Sequence, residues 1–255
     1  MTTNRPNGSL YTSINNKIAT VEFGHPASNS FPGELLQRLT DELNMLSNND
    51  EVNVIVLKSE GDKAFCAGAS FDELLAVSTF EEGSVFFSGF ANVINAIRQS
   101  SKLIVGRIQG KAVGGGVGLA AACDYALATV NSAIKLSEFT IGIGPFVIAP
   151  AVERKMGKAA LAELTLAADE WKNAYWAQEK GLYAKVFETI EDLDKELDIF
   201  TLKLAGYNPE ALTEMKKVLW KGTEEWDSLL NNNAKISGKL VLSDFTRTAL
   251  SKLKK

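Results

Sequence analysis

The sequence predicts an α/β fold with a helical C-terminal part, and three observations carry that prediction. Apolar runs of strand length at residues 52–57 (VNVIVL) and 103–108 (LIVGRI) are separated by a stretch with helical apolar spacing at 81–100. Each run leads to a turn of small residues and then a helix, so one strand–turn–helix plan occurs twice. Strands separated by helices argue for α/β rather than a sandwich. From Phe146 onward the pattern is almost wholly helical, with Gly157, Gly181, Gly206 and Pro209 as punctuation.

Taken in order, residues 10–15 and 17–24 alternate enough for two strands about a polar turn at Asn15-Asn16, and His25-Pro26 ends the second. Ser30, Pro32 and Glu34 are helix-start signals. Leu36, Leu39, Leu43 and Leu46 follow at 3–4–3 spacing, which buries one face, and Asn48-Asn49-Asp50 ends the helix. Residues 52–57 read as a buried strand and 58–63 as a polar turn. The segment 64–70 (AFCAGAS) is too small and glycine-bearing for a strand interior, so it reads as a strand end spilling into a loop before a short helix at 71–77. The helix at 81–100 places Phe86, Phe90, Val93, Ile94 and Ile97 on one side. After the strand at 103–108, residues 125–129 and 133–136 read as short strands. The last third, 209–255, reads as two long helical segments divided near Ser237-Gly238. No linker rich in Pro, Gly or Ser interrupts the chain; the expected organisation is a core over 1–190 and a helical region over 191–255.

At 255 residues the chain can bury a sizeable core. Its 45% hydrophobic and 23% charged residues are ordinary for a soluble enzyme or binding protein. A net charge of −4 argues against nucleic acid as a partner, and only Lys252, Lys254 and Lys255 make a locally basic tail. No apolar run approaches the ~20 residues that span a bilayer, and residues 1–10 carry no hydrophobic signal region. Cys66 and Cys123 stand in apolar or small-residue surroundings without metal-ligand spacing, and read as reduced packing residues. A cytoplasmic protein without a membrane partner is expected.

Chemistry is expected around residues 110–138. Gly110, Gly114, Gly115, Gly116 and Gly118 fall within nine residues, and a small apolar run at 119–123 follows as a helix would. Glycine lets backbone approach a ligand closely, and a helix start presents unpaired N–H groups. Such a turn is also a common packing device. A zinc site is unsupported, because His25 is the single histidine and the cysteines do not cluster. A nucleophile elbow at Gly68-Ala69-Ser70 fails on Asp72, which stands where the second glycine belongs. Residues 116–121 fit G-x-G-x-x-A with Glu138 lying 20 residues past Gly118, as a dinucleotide site would need. The polar turn at Val130-Asn131-Ser132 breaks the strand that such a site requires. The remaining reading pairs the turns 64–70 and 114–116, each of which could aim an N–H at one oxygen. Alternation along 133–138 would set Ile134, Leu136 and Glu138 on one face, placing an acid where poor solvation raises its pKa. A carboxylate here could equally cap a helix or pair with a lysine, and spacing alone does not choose.

These residues together resemble the crotonase family, the enoyl-CoA hydratase/isomerase superfamily. AFCAGAS is similar to that family's first oxyanion segment, and IQGKAVGGGVGLAAACDYALA to its second. The resemblance runs from about Leu10 to Val186, including ASNSF, VIVLKSEG and the segment 177–186. It implies a ββα spiral core, a helical C-terminal trimerisation region, and a homotrimer or dimer of trimers. It implies that Ala69 and Gly115 offer the two oxyanion N–H groups to a thioester oxygen. Ala67, Ser70, Phe71 and Asp72 would line the CoA, and Glu138 would be the acid/base. Neither a metal nor a cofactor is implied, since coenzyme A is part of the acyl-CoA substrate. Ser70 replaces the usual Asp of the first segment. Gly118 replaces the first of two catalytic acids, so a single-acid site is implied. Within the family the pattern looks most like bacterial methylglutaconyl-CoA hydratases, which makes 3-methylglutaconyl-CoA the expected substrate. A Δ3,Δ2-enoyl-CoA isomerase and an inactive acyl-CoA-binding scaffold are the other expectations. A carboxylated acyl chain would need a cation near Glu138, and Lys111, Lys135 and Arg154 are the candidates.

Overall fold

A computed structural model describes residues 7–253. The N-terminal residues 1–6 and the Lys254 and Lys255 part of the basic tail lie outside the described residues. Among the described residues, no helix is long and apolar enough to cross a membrane.

The chain opens with a hairpin of β1 (Ser9–Asn15) and β2 (Ile18–Gly24), whose turn residues Asn16 and Lys17 take positive φ of 51° and 64°. The helix α1 (Gly33–Ser47) follows, burying Leu36, Leu39, Leu43 and Leu46 as the spacing predicts. Three strand pairs come next: β3 (Val54–Ser59) with β4 (Ala64–Cys66), β5 (Leu103–Ile108) with β6 (Lys111–Val113), and β7 (Tyr125–Thr129) with β8 (Ile134–Lys135). Helices α2 (Phe71–Ala76) and α3 (Phe80–Gln99) follow the first pair, and α4 (Gly115–Ala122) the second. A 3-10 turn (Glu138–Ile141) and α5 (Ala149–Leu166) follow the third.

The first strand of each pair joins one sheet and the second joins another. The larger sheet has the order β1-β2-β3-β5-β7 and ends on β9 (Lys185–Phe187); it is parallel except for the opening hairpin. The smaller sheet is β4-β6-β8, also parallel. Repeated strand–strand–helix units winding between two sheets make this the ββα spiral that the resemblance implies. β5 is buried at every position, because both faces of the large sheet are covered. One face packs on α1, α3 and α4 through the main core. On the other, Val54, Val56, Val105 and Leu127 meet Leu193 and Leu197 of α7 (Ile190–Ala205).

Four sequence expectations need correction. Residues 185–187 lie in the part read as helical, yet they pair with β7; three residues are too few to carry an alternation. Residues 111–113, read as part of the glycine turn, form β6. The strand expected at 133–136 ends at Lys135, and Glu138 opens the 3-10 turn instead of continuing a strand face. The last third holds α8 (Pro209–Leu219), α9 (Trp226–Leu240) and α10 (Asp244–Leu253) rather than two helices. Ser237-Gly238 lies inside α9, because Gly238 is there to meet Gly83 of α3 and does not end the helix. A short α6 (Ala174–Glu179), capped by the Asn173 side chain, completes the fold.

Candidate active site

The two backbone turns named from the sequence are neighbours. β4 and β6 pair in parallel, so the loops leaving them emerge side by side. Gly68 has φ of +90°, and a Cβ built on it would lie 3.2 Å from Val113 O and 3.6 Å from Gly115 N. Gly114 has φ of +53°, and its Cβ would lie 2.9 Å from Glu138 Oε1. Only glycine suits both the backbone and the crowding at these two positions. The turns are thereby brought together with the carboxyl of Glu138.

Each turn is fixed by its surroundings. Phe31 bridges to Ala69, with Phe31 N donating to Gly68 O and Ser70 N to Phe31 O, both at 2.8 Å. Asn29 Nδ2 donates to Glu60 O and Ala64 O, and Gln109 Nε2 donates to Ala64 O and Ser59 Oγ. Gly68 N donates to Cys66 Sγ at 3.3 Å, and burial pushes that thiol up to about 12, so it stays protonated. α4 begins against the β4 strand end, since a Cβ on Gly116 would lie 2.4 Å from Cys66 O. Its far end is held by a buried cluster. Asp124 accepts from Ile104 N at 2.7 Å, Lys216 Nζ at 2.6 Å and Trp220 Nε1 at 2.7 Å. Lys155 Nζ donates to the carbonyls of Cys123 and Asp124, as a cation at a helix C-terminus should. Among the described residues, the N–H groups of Ala69 and Gly115 have no acceptor. Two adjacent free donors can hold an oxygen that gains negative charge.

The turns open on a cavity of about 190 Å³. Ala67, Ala69 and Phe71 line it, as do Gly115 and Glu138; Ser70 and Asp72 do not. The Ser70 side chain instead caps α2 by accepting from Glu73 N, and Asp72 stands exposed in that helix's first turn. Most of the wall is apolar, from Phe86 and Phe87 of α3 to Ile143, Val147 and Ile148. Glu138 is half-buried as a residue, but its Oε2 is sealed and has no hydrogen-bond partner among the described residues. Burial pushes its carboxyl up to about 7, against a smaller opposing pull from its own backbone N–H.

Gly118 is buried against Ile148, and a Cβ there would lie 2.5 Å from Ile148 Cγ2. Among the described residues, no second carboxylate lines the cavity, and no lysine or arginine does. Lys111 and Lys135 sit over the Trp171 ring, and Arg154 stacks on Trp220 at 3.8 Å. His25 is a turn residue whose Nδ1 accepts from Ala27 N at 3.2 Å. Among the described residues, no group of three His, Cys, Asp or Glu side chains is placed to hold a metal.

The sequence model of the enoyl-CoA hydratase/isomerase family matches residues 13–244. The chain belongs to this family. Among its relatives is the peroxisomal Δ(3,5)-Δ(2,4)-dienoyl-CoA isomerase of Arabidopsis thaliana, 28% identical over 82% of this chain and 79% of the relative. A short-chain-enoyl-CoA hydratase of Clostridium acetobutylicum is also 28% identical, with the same coverage of both chains. The human mitochondrial methylglutaconyl-CoA hydratase is 34% identical, but over 46% of this chain and 34% of the relative. The fold is that of the enoyl-CoA hydratase from Bacillus halodurans, with a TM-score of 0.88 at 21% identity over 95% of this chain and 99% of that one. The protein is thus an enoyl-CoA hydratase/isomerase with the crotonase fold.

Sequence reasoning missed the aromatic wall from α3, the residues Ile143, Pro145, Val147 and Ile148, and Ser237 of α9, all of which line the cavity. Phe86 and Phe90 were legible only as a helix face. Ser237 carried no signal beyond its place beside a glycine.

Proposed function

We propose that the protein is an enoyl-CoA hydratase for a short or branched acyl chain, with Glu138 as its one acid/base. The observation that carries this is the carboxyl of Glu138, raised to about 7 with Oε2 sealed and unpartnered, beside two N–H groups that lack acceptors among the described residues. Ala69 and Gly115 N–H would hold the thioester oxygen as it takes enolate charge. A carboxyl poised near neutrality would pass a proton to or from the acyl chain. Ala67 and Phe71 would flank the thioester end of the acyl-CoA, with the backbone at Ser70 and Asp72 along the CoA outside the cavity. The walls favour an uncharged acyl chain, because no cation among the described residues lines the cavity to meet the carboxylate of a 3-methylglutaconyl group. The likeness to methylglutaconyl-CoA hydratase supports that substrate over less than half of the chain.

A second reading, double-bond isomerisation, is favoured by one observation. Ile148 stands over Gly118, so the acid that would share the water with Glu138 is replaced by apolar surface. One carboxyl suffices to move a proton between Cα and Cγ.

The test is turnover of crotonyl-CoA, 3-methylglutaconyl-CoA and a 3-enoyl-CoA in ¹⁸O-labelled water, by the parent and by Glu138→Gln. Label uptake from crotonyl-CoA, faster than from 3-methylglutaconyl-CoA, is expected. Glu138→Gln should lose ~10²–10⁴ in kcat with substrate affinity kept within a few-fold. Rapid bond migration without label would make the enzyme an isomerase. Undiminished kcat in the variant would remove Glu138 from the mechanism.

A further inference from the structure

Ser237 lies on α9, outside the strand–helix units, yet it lines the same cavity as Ala69, Gly115 and Glu138. It is 1% exposed. A buried hydroxyl in a native protein normally has a hydrogen-bond partner. Two buried hydroxyls in helices of this chain take the carbonyl one turn back, while that of Thr246 accepts from Ser243 Oγ and Thr165 Oγ1 is sealed without a partner among the described residues. Thr40 Oγ1 donates to Leu36 O at 2.9 Å, and Thr201 Oγ1 to Leu197 O at 2.8 Å. Ser237 makes no such bond, and its hydroxyl has no partner among the described residues. Nor is its oxygen sealed among apolar atoms, as Glu138 Oε2 is. Its placement is firm, because the adjacent Gly238 meets the α3 backbone so closely that a Cβ would lie 2.6 Å from Ser84 N. Among the described residues, the side chains that bring polar atoms to the cavity are Ser137, Glu138 and Ser237, and only Ser237 comes from a separate helix.

We propose that the Ser237 hydroxyl is the second ligand of the oxygen added in hydration. It would hold water before attack and the new Cβ hydroxyl afterwards, in the role that a second carboxylate cannot fill at Gly118. This rests on the hydratase reading above. The chemistry balances without an added reagent. The water oxygen bonds to Cβ and gives a proton to Glu138, the Cα–Cβ π pair moves into the thioester enolate, and Glu138 returns a proton to Cα. Ser237 ends with the proton it began with. A hydroxyl suits the task because it both donates and accepts, and so can follow an oxygen from water to alcohol. An oxygen carried by the acyl chain would present the same chemistry, and the test separates the two.

The experiment compares the parent with Ser237→Ala in hydration of crotonyl-CoA, bond migration in 3-hexenoyl-CoA, KM for a 5-hydroxy-2-enoyl-CoA, and thermal unfolding. Alanine is a better helix former than serine, so the variant should fold. Ser237→Cys, close in volume but a weak donor, is the second variant. The expected result is a fall of about 3- to 10-fold in hydration kcat, the worth of one neutral hydrogen bond, with migration unchanged within twofold. Unchanged crotonyl-CoA hydration with raised KM for the hydroxylated chain would give the hydroxyl to the substrate and overturn the water role. An equal fall in hydration and migration would mark a structural residue and overturn it too, as would no change in either. A parent that migrates double bonds but hydrates no enoyl-CoA would fail the hydratase reading itself, a result visible without any variant.

Discussion

Glu138 owes its character to what surrounds its carboxyl. Gly114 lies close beneath Oε1, Oε2 is sealed without a partner, and burial raises the group to about 7. Two consequences follow from the sign of that shift. If the ionised form is the base, kcat/KM should rise about tenfold per pH unit below about 7 and level off above it. Stability runs the other way. The folded protein keeps a proton on Glu138 that the unfolded chain releases near the ordinary 4.5, so the residue costs stability as pH climbs from about 4.5 to about 7. Glu138→Gln should therefore unfold a few degrees above the parent at pH 8, with the gap narrowing toward pH 5. Equal unfolding temperatures at pH 8 would mean that the carboxylate is well solvated.

At the scale of elements, the site depends on two close approaches. One is the β4–β6 pairing, which sets the two turns beside each other. The other is the crossing of α3 and α9 at Gly83 and Gly238, which brings Phe86, Phe87 and Ser237 to one cavity. A methyl group at position 238 would meet backbone, which cannot swing aside as a side chain can. Gly238→Ala should cost about 1–3 kcal/mol, read from the urea midpoint, in spite of alanine's better helix propensity. Because the crossing forms a cavity wall, KM for the enoyl-CoA should rise in the same variant. A stability equal to the parent's would show that the helices separate at little cost.

At the scale of the molecule, Asp124 ties together parts distant in sequence. It joins β5 through Ile104 N to α8 through Lys216 and to Trp220 just beyond. Asp124 and Lys216 each have side chains 3% exposed. Removing one member strands a buried charge, so Asp124→Ala should cost ~3–5 kcal/mol in the urea transition. A loss below 1 kcal/mol would show that Lys216 finds water in the variant. Apolar side chains also remain uncovered on the C-terminal helices: Ile199 is 54% exposed, Leu202 50% and Val218 63%. Exposed apolar surface and the family resemblance lead us to expect a closed cyclic homo-oligomer, a trimer or a dimer of trimers. Sedimentation at micromolar concentration checks this; a monomeric mass would contradict it.

The sequence by itself determined what local chemistry can encode. Leucine spacing specified α1, continuous apolar runs specified β3 and β5, and the glycine turns with Glu138 marked the segments on which the proposed chemistry rests. It did not reveal β6, β8 or β9 in full, because strands of two or three residues exist only through their partners. Glu138 shows the division most clearly. Its residue type and neighbourhood were legible, whereas the expected strand face was not its actual setting. The 3-10 turn at 138–141 holds it there, and Gly114 and the apolar walls complete its surroundings. The tertiary structure alone decided that Gly118 lies under Ile148, that Lys111, Lys135 and Arg154 stack on tryptophans away from the cavity, and that α9 delivers Ser237 to it. Those are contacts between residues far apart in the chain, and periodicity or spacing reports only on neighbours.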